Sequence, residues 1–248
     1  MSLSHKIAAA QQKLQEHAIA AFLPNTEEGV LTFDTRSKFG GLPYLRNAKD
    51  WPVCPGCKKH MSFFLQLNLE ETPIKYADNK GLLQVFYCTQ DYDNDCETSN
   101  RNFEPFNEGV VLRKINIEGK SAEIKLSERE IIPYPEMVVS SWDEIDDYPH
   151  PEQFEELGMQ YDEFEEDVIE ALHEQGGIAM AGDKLGGWQH FLQSSEKIKD
   201  NKDGKEYVYL MQIDSEYNIP YMFGDSGIAF IGYHPDEPEK LAMFWQCY

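Results

Sequence analysis

Apolar positions along the chain change period several times, and each change predicts an element. From Ser4 to Phe22, Ile7, Leu14, Ala18 and Phe22 recur on one helical face among Gln, Lys and Glu, which predicts an amphipathic helix closed by Pro24. From Val30 the texture becomes strand-like. Val30–Phe33, Met61–Leu69, Leu82–Cys88, Val110–Ile117 and Ala122–Leu126 are apolar or alternating runs, separated by Gly40-Gly41, Pro55-Gly56 and Asn79-Lys80-Gly81. Tyr207–Asp214, Ile228–Tyr233 and Leu241–Cys247 repeat that texture near the C-terminus.

The two strand-rich stretches also match each other without a gap at an offset of 146 residues. Lys38-Phe39-Gly40-Gly41 answers to Lys184-Leu185-Gly186-Gly187, and Phe64–Asn68 to Leu210–Asp214. Gly81 answers to Gly227 and Tyr87 to Tyr233. Eight identities fall between residues 38 and 88, against about three expected from ordinary composition. The blocks keep their order and spacing, so the pattern predicts one duplicated, two-lobed domain rather than two unrelated ones.

Between the copies, Trp142–Glu174 holds fourteen Asp and Glu, and no Lys or Arg occurs from Glu130 to Asp183. Phe154, Leu157, Tyr161, Phe164, Val168 and Leu172 fall near helical spacing within it, which predicts acidic-faced helices broken near Gly158. The expected fold is therefore α+β: strand-rich, mostly antiparallel and internally duplicated, with an N-terminal helix and an acidic helical insert. Its parts are residues 1–29 (helix packed on the body), 30–139 (first repeat), 140–175 (insert) and 176–248 (second repeat).

Charge changes the picture of partners. Forty-four carboxylates against 22 Lys and Arg give a formal charge of −22. Such a surface repels phosphate backbones and anionic lipid, which disfavours direct nucleic-acid binding and favours a basic protein partner; solubility alone is the plainer reading. No apolar run has the length of a membrane span, and the sequence reads as that of a cytoplasmic protein.

Four of the five cysteines have ligand-like spacing: Cys54-x2-Cys57, then Cys88 and Cys96. Zinc takes four thiolates in a tetrahedron, and a Cys-x2-Cys turn eased by Pro55-Gly56 supplies two of them. A closed quartet is scaffold rather than catalyst, and it would belong to the first lobe only. The ungapped match places Asp200, Asp203, His234 and Ala242 opposite the four cysteines, and interleaved lysines make that stretch read as a solvated hairpin loop. Unliganded cysteines and a redox dithiol are the competing readings; a thioredoxin-type pair should open a helix, whereas a strand follows here.

Gly224-Asp225-Ser226-Gly227 spells part of a serine-protease loop, but the match sets it opposite a turn, with no histidine and aspartate in triad context. His234-Pro235-Asp236 ends a strand and is not a J-domain tripeptide. The Lys-x-Gly-Gly pairs lack a phosphate-loop context and read as tight turns. His60, beside the Cys-x2-Cys turn, is the one histidine placed near a candidate site. No catalytic constellation emerges. An enzyme acting on RNA or a small ligand would need a site between the lobes, where Gln66 and Gln212 could converge.

The run Ser37–Leu45, then Trp51-Pro52, Phe63–Leu69, Gly81–Tyr87 and Gly224–Gly227 resembles the YwqG-like family of bacterial proteins of unknown function. That family is similar in turn to the programmed cell death protein 2 group. The resemblance implies a duplicated, strand-rich domain. From the eukaryotic relatives it implies a dedicated chaperone for a basic ribosomal protein; from bacterial ones, an immunity or antitoxin-like factor, or RNA processing. It carries no catalytic residues onto this chain.

Overall fold

The computed structural model describes residues 2–90, 96–159 and 164–248. Ten strands among the described residues form one antiparallel sheet: β1 (Ile19–Glu28), β2 (Lys38–Phe39), β3 (Ser62–Asn68), β4 (Leu82–Tyr87), β5 (Val110–Ile115), β6 (Met137–Asp147), β7 (Lys184–Gly186), β8 (Val208–Asp214), β9 (Ile228–Tyr233) and β10 (Leu241–Gln246). Their order is β10-β9-β8-β7-β1-β6-β2-β3-β4-β5. The sheet curls until its ends nearly meet. Trp245 N–H donates to the Phe103 carbonyl, Trp245 Nε1 to the Tyr87 hydroxyl at 2.9 Å, and Lys114 reaches Glu239 at 3.0 Å.

The concave side is filled. Phe39, Phe64, Leu67, Tyr87, Leu185, Leu210, Phe223 and Met243 share one buried cluster drawn from both halves of the chain. Phe64 alone lies 5.0–6.0 Å, ring centre to ring centre, from Tyr87, Tyr134, Tyr221 and Phe223. The halves thus meet in a packed core, the main source of apolar stabilisation in such a domain.

Two expected elements differ. The N-terminal helix, α1 (Leu3–Gln15), stops short of Phe22, and Ile19–Glu28 is a strand at the centre of the sheet. Its residues read as helical by spacing, but pairing with β6 along its length outweighs that weak propensity. Pro24 does not end a helix; it lies within β1, paired with Trp142 of β6 and beyond the two residues, Ala21 and Phe22, that β7 reaches. Likewise, residues 140–147 of the expected helical insert belong to β6, with Asp143, Glu144 and Asp146 exposed. Val30–Phe33 and Ala122–Leu126 form no named strand.

Among the described residues, the rest of the acidic segment carries short 3-10 turns at Pro151–Gln153 and Glu155–Leu157, a left-handed Gly158, and α2 (Glu166–Glu174). Phe154, Phe164, Val168 and Leu172 pack with Ala10 and Leu14 of α1; Tyr161 lies outside the described residues. Glu152, Glu155, Glu166 and Glu170 of this segment are exposed.

Candidate metal centre

The site begins as a hairpin knuckle. Cys54 N–H donates to the Lys59 carbonyl and Lys58 N–H to the Cys54 carbonyl, with Lys58 in the left-handed region at φ 61°. Val53 and His60 bridge its base, and Trp51 Nε1 closes it on the Met61 carbonyl at 2.8 Å. Strand β4 ends at Tyr87, so Cys88 emerges beside the knuckle, and Cys96 returns from the following connection. Residues 91–95 lie outside the described residues.

All four sulfurs lie within 4.8 Å of one another. Cys54–Cys96 is 3.6 Å, Cys57–Cys88 3.7 Å and Cys88–Cys96 3.7 Å, Sγ to Sγ. A disulfide needs about 2.05 Å, whereas four thiolates at about 2.3 Å from one zinc stand about 3.8 Å apart. The quartet therefore has the size of a tetrahedral thiolate cage. Cys54, Cys88 and Cys96 are buried among Leu42, Leu45, Trp51, Met61, Phe63 and Phe86. Burial pushes the Cys54 and Cys88 thiols up; the backbone N–H groups of Gly56 and Cys57 oppose this at Cys54. Cys96 moves the other way, to about 6, despite its own burial, as the Ser99 backbone and hydroxyl donate to it. His60 stays outside the quartet.

The second half builds the same knuckle with other chemistry. Asp200 N–H donates to Lys205, Gly204 N–H to Asp200, and Lys199 bridges Glu206, each at the 146-residue offset. Asp200 Oδ1 accepts from the amides of Lys202 and Asp203, taking the place of the Cys54 sulfur. Asp200, Asp203 and His234 bring ligand-type atoms within 4.8 Å, but His234 Nδ1 already accepts from the amides of Asp236 and Glu237 at 3.2 and 3.1 Å. That fixes the proton on Nε2, which faces Asp203 at 3.2 Å as a donor rather than a ligand. Hydrogen bonds close this knuckle. The expected partner of Cys96 also changes: Ala242 lies in β10, because the equal spacing breaks after β4 and β9. Residues 88–109 form the longer connection, and residues 234–240 contain no counterpart of the fourth cysteine.

Gln66 and Gln212 do not converge on a cleft. Gln66 is fully buried, donating to the carbonyls of Asp34 and Arg36 and accepting from Tyr44 N–H. Gln212 does the same with Met180, Gly182 and His190, again at the common offset. Each ties a strand to its own half's loop.

The Lys-x-Gly-Gly pairs are more than turns, a role the sequence reading missed. Lys38 and Lys184 are buried; one takes the carboxylate of Glu136, just before β6, and the other that of Asp147, the last residue of β6. Lys38 Nζ lies 3.2 Å from Glu136 and 2.9 Å from Asp34; Lys184 Nζ lies 2.7 Å from Asp147. Burial lowers the Lys184 ammonium to about 8, against the pull of Asp147. The last glycine of each motif leaves room for the carboxylate: a Cβ on Gly41 or Gly187 would meet Glu136 or Asp147 oxygen at 2.3 or 2.4 Å. Repetition of a lysine followed by an apolar residue and Gly-Gly was the available signal. Ser226 of the Gly-Asp-Ser-Gly stretch is a turn residue at φ 46°, its hydroxyl on Glu216.

Fold and site together define a strand-rich domain with a curled single sheet and one thiol-lined knuckle. Residues 37–242 match the family described as Domain of unknown function (DUF1963), and the chain belongs to that family. The match runs from just before β2 into β10 and leaves out α1 and β1. No curated protein matches the chain. No helix among the described residues is long and apolar enough to cross a membrane.

Proposed function

We propose that this chain is a cytoplasmic, non-enzymatic binding protein that holds a basic protein partner, as a chaperone, immunity or antitoxin-like factor of the YwqG-like type. The observation that carries this reading is the acidic segment that runs from the end of β6 through the 3-10 turns to α2. Asp143, Glu144, Glu152, Glu155, Glu166 and Glu170 are exposed along it on a chain of net charge −22. Ion pairs between described residues reach its exposed carboxylates from Lys6 and Lys197, and Lys184 reaches the buried Asp147. Carboxylates held on folded elements present a fixed negative field, which steers and retains a cationic surface.

In this reading the cysteine quartet holds one structural zinc, and the two knuckles descend from a duplicated unit of which only the first kept a metal. The filled core between the halves supports a surface-binding role over a cleft enzyme. The test is affinity capture from lysate with mass spectrometry, at low and high salt. Basic proteins captured at low salt and released at high salt are expected. Capture that persists unchanged in high salt, or after Glu152, Glu155 and Glu156 are changed to Gln, would overturn the proposal.

A further inference from the structure

One groove departs from the acidic surface. It opens beside the cysteine knuckle, encloses about 490 Å³, and lies between residues 58–62, Thr89–Gln90 and residues 129–135. Among the described residues its lining carries Lys58, Lys59, His60 and Arg129 against one carboxylate, Glu130, in a chain with twice as many carboxylates as Lys and Arg. The three permanent cations are held by neutral acceptors: Lys58 by the Pro55 carbonyl, Lys59 by Gln90 and Arg129 by the Ala48 carbonyl. Among the described residues no carboxylate pairs with them. Ile132 stands at the same groove with 88% of its surface exposed.

We propose that this groove binds an acidic segment of a partner protein, extended along residues 129–135, with carboxylates on Lys59 and Arg129 and an apolar side chain on Ile132. The volume suits a few side chains. A short acidic peptide places its few charges within about one Debye length, about 8 Å at physiological salt, of the cations. A nucleic acid instead brings a long phosphate array against the repulsion of the whole surface. The knuckle lysines also face a thiolate quartet and could serve it alone. Arg129 comes from a different segment, so it reads the groove without the knuckle. The proposal depends neither on zinc nor on the basic partner of the acidic face.

The test is fluorescence anisotropy with three labelled pools of short peptides: Asp/Glu-rich with a fixed central Leu, the same with Ser for Leu, and Lys-rich. An oligothymidylate of equal charge serves as the nucleic-acid probe. Saturable binding is expected to be tightest for the acidic Leu pool. Arg129→Glu and Ile132→Asp should each weaken it by about tenfold, with unchanged thermal melts and unchanged binding of the Lys-rich pool. Absence of saturable binding by the acidic pools, equal binding by Arg129→Glu, or tighter binding of the oligonucleotide would overturn the proposal. So would self-association in sedimentation that Ile132→Asp abolishes, which would assign the groove to a second copy. Failure of the Lys-rich pool alone would count against the acidic-face reading and leave this one standing.

Discussion

Replacing Gly187 by Ala tests the buried ion pair that anchors the second half of the sheet. Gly187 has φ +70°, and an added Cβ would lie 2.4 Å from Asp147 Oδ2 and 2.5 Å from the Ala21 Cβ. That carboxylate oxygen accepts from Lys184 Nζ and Trp188 N–H, both at 2.7 Å, while Oδ1 accepts from Met180 N–H at 3.0 Å. The methyl group cannot fit unless the carboxylate moves and leaves a buried ammonium. Breaking one side of such a pair costs about 3–5 kcal/mol, and the left-handed backbone adds about 1 kcal/mol. Gly204 supplies the control: its φ is +72°, yet nothing lies within 4 Å of its Cβ position. Gly204→Ala should therefore carry the backbone cost alone. In thermal unfolding, Gly187→Ala should lower the midpoint by about 10–20 °C and Gly204→Ala by about 3 °C. Equal shifts would show that Lys184–Asp147 does not hold the fold and that only the backbone conformation matters.

Other consequences follow from the same geometry. Protein purified without chelator should carry about one zinc per chain, lost in both Cys54→Ser and Cys96→Ser; a zinc-free, stable protein would end the structural-metal reading. Chelation should loosen amide exchange around residues 51–61 and leave residues 198–207 protected, because the second knuckle closes on hydrogen bonds; equal loosening of both would refute that contrast. His150 is lowered to about 3 by burial and by the nearby His190, Lys184 and His173. Below an unfolded value near 6.5 the unfolded chain takes up a proton that the folded chain refuses. Stability should therefore fall as pH drops from about 6.5 toward 3. His150→Phe should flatten that slope in denaturant titrations, and an unchanged slope would remove His150 from the account.

Period and turn residues made most of the sheet legible. Ile228–Tyr233 is β9 to the residue, and β3, β4, β8 and β10 fall within one or two residues of their apolar runs. Where the reading failed, local signals gave way to long-range pairing. Ile19–Phe22 continues a helical stripe, and residues 143–147 are acidic enough to suggest solvated helix; each nonetheless pairs with the other across the centre of the sheet. The cysteine quartet was readable because thiolate ligands need a fixed spacing in a tight turn. The partner of Cys96 was not, since an ungapped comparison cannot register a longer connection. The carboxylates of Glu136 and Asp147 were invisible for a related reason: neither lies near its lysine in sequence, and only the path of β6 brings them there.

The acidic face is the part of the account on which function rests, and its charge can be measured directly. Binding of a lysine-rich peptide should be titrated over a range of salt concentrations against three proteins. These are the native chain, Glu152, Glu155 and Glu156 changed to Gln, and a control with Glu118, Glu123 and Glu128 changed to Gln. The first triple variant should lose about tenfold in affinity at low salt and show a shallower salt dependence, while the control behaves as the native chain. Equal losses in both variants would show that net charge alone attracts the peptide and would contradict a dedicated binding face.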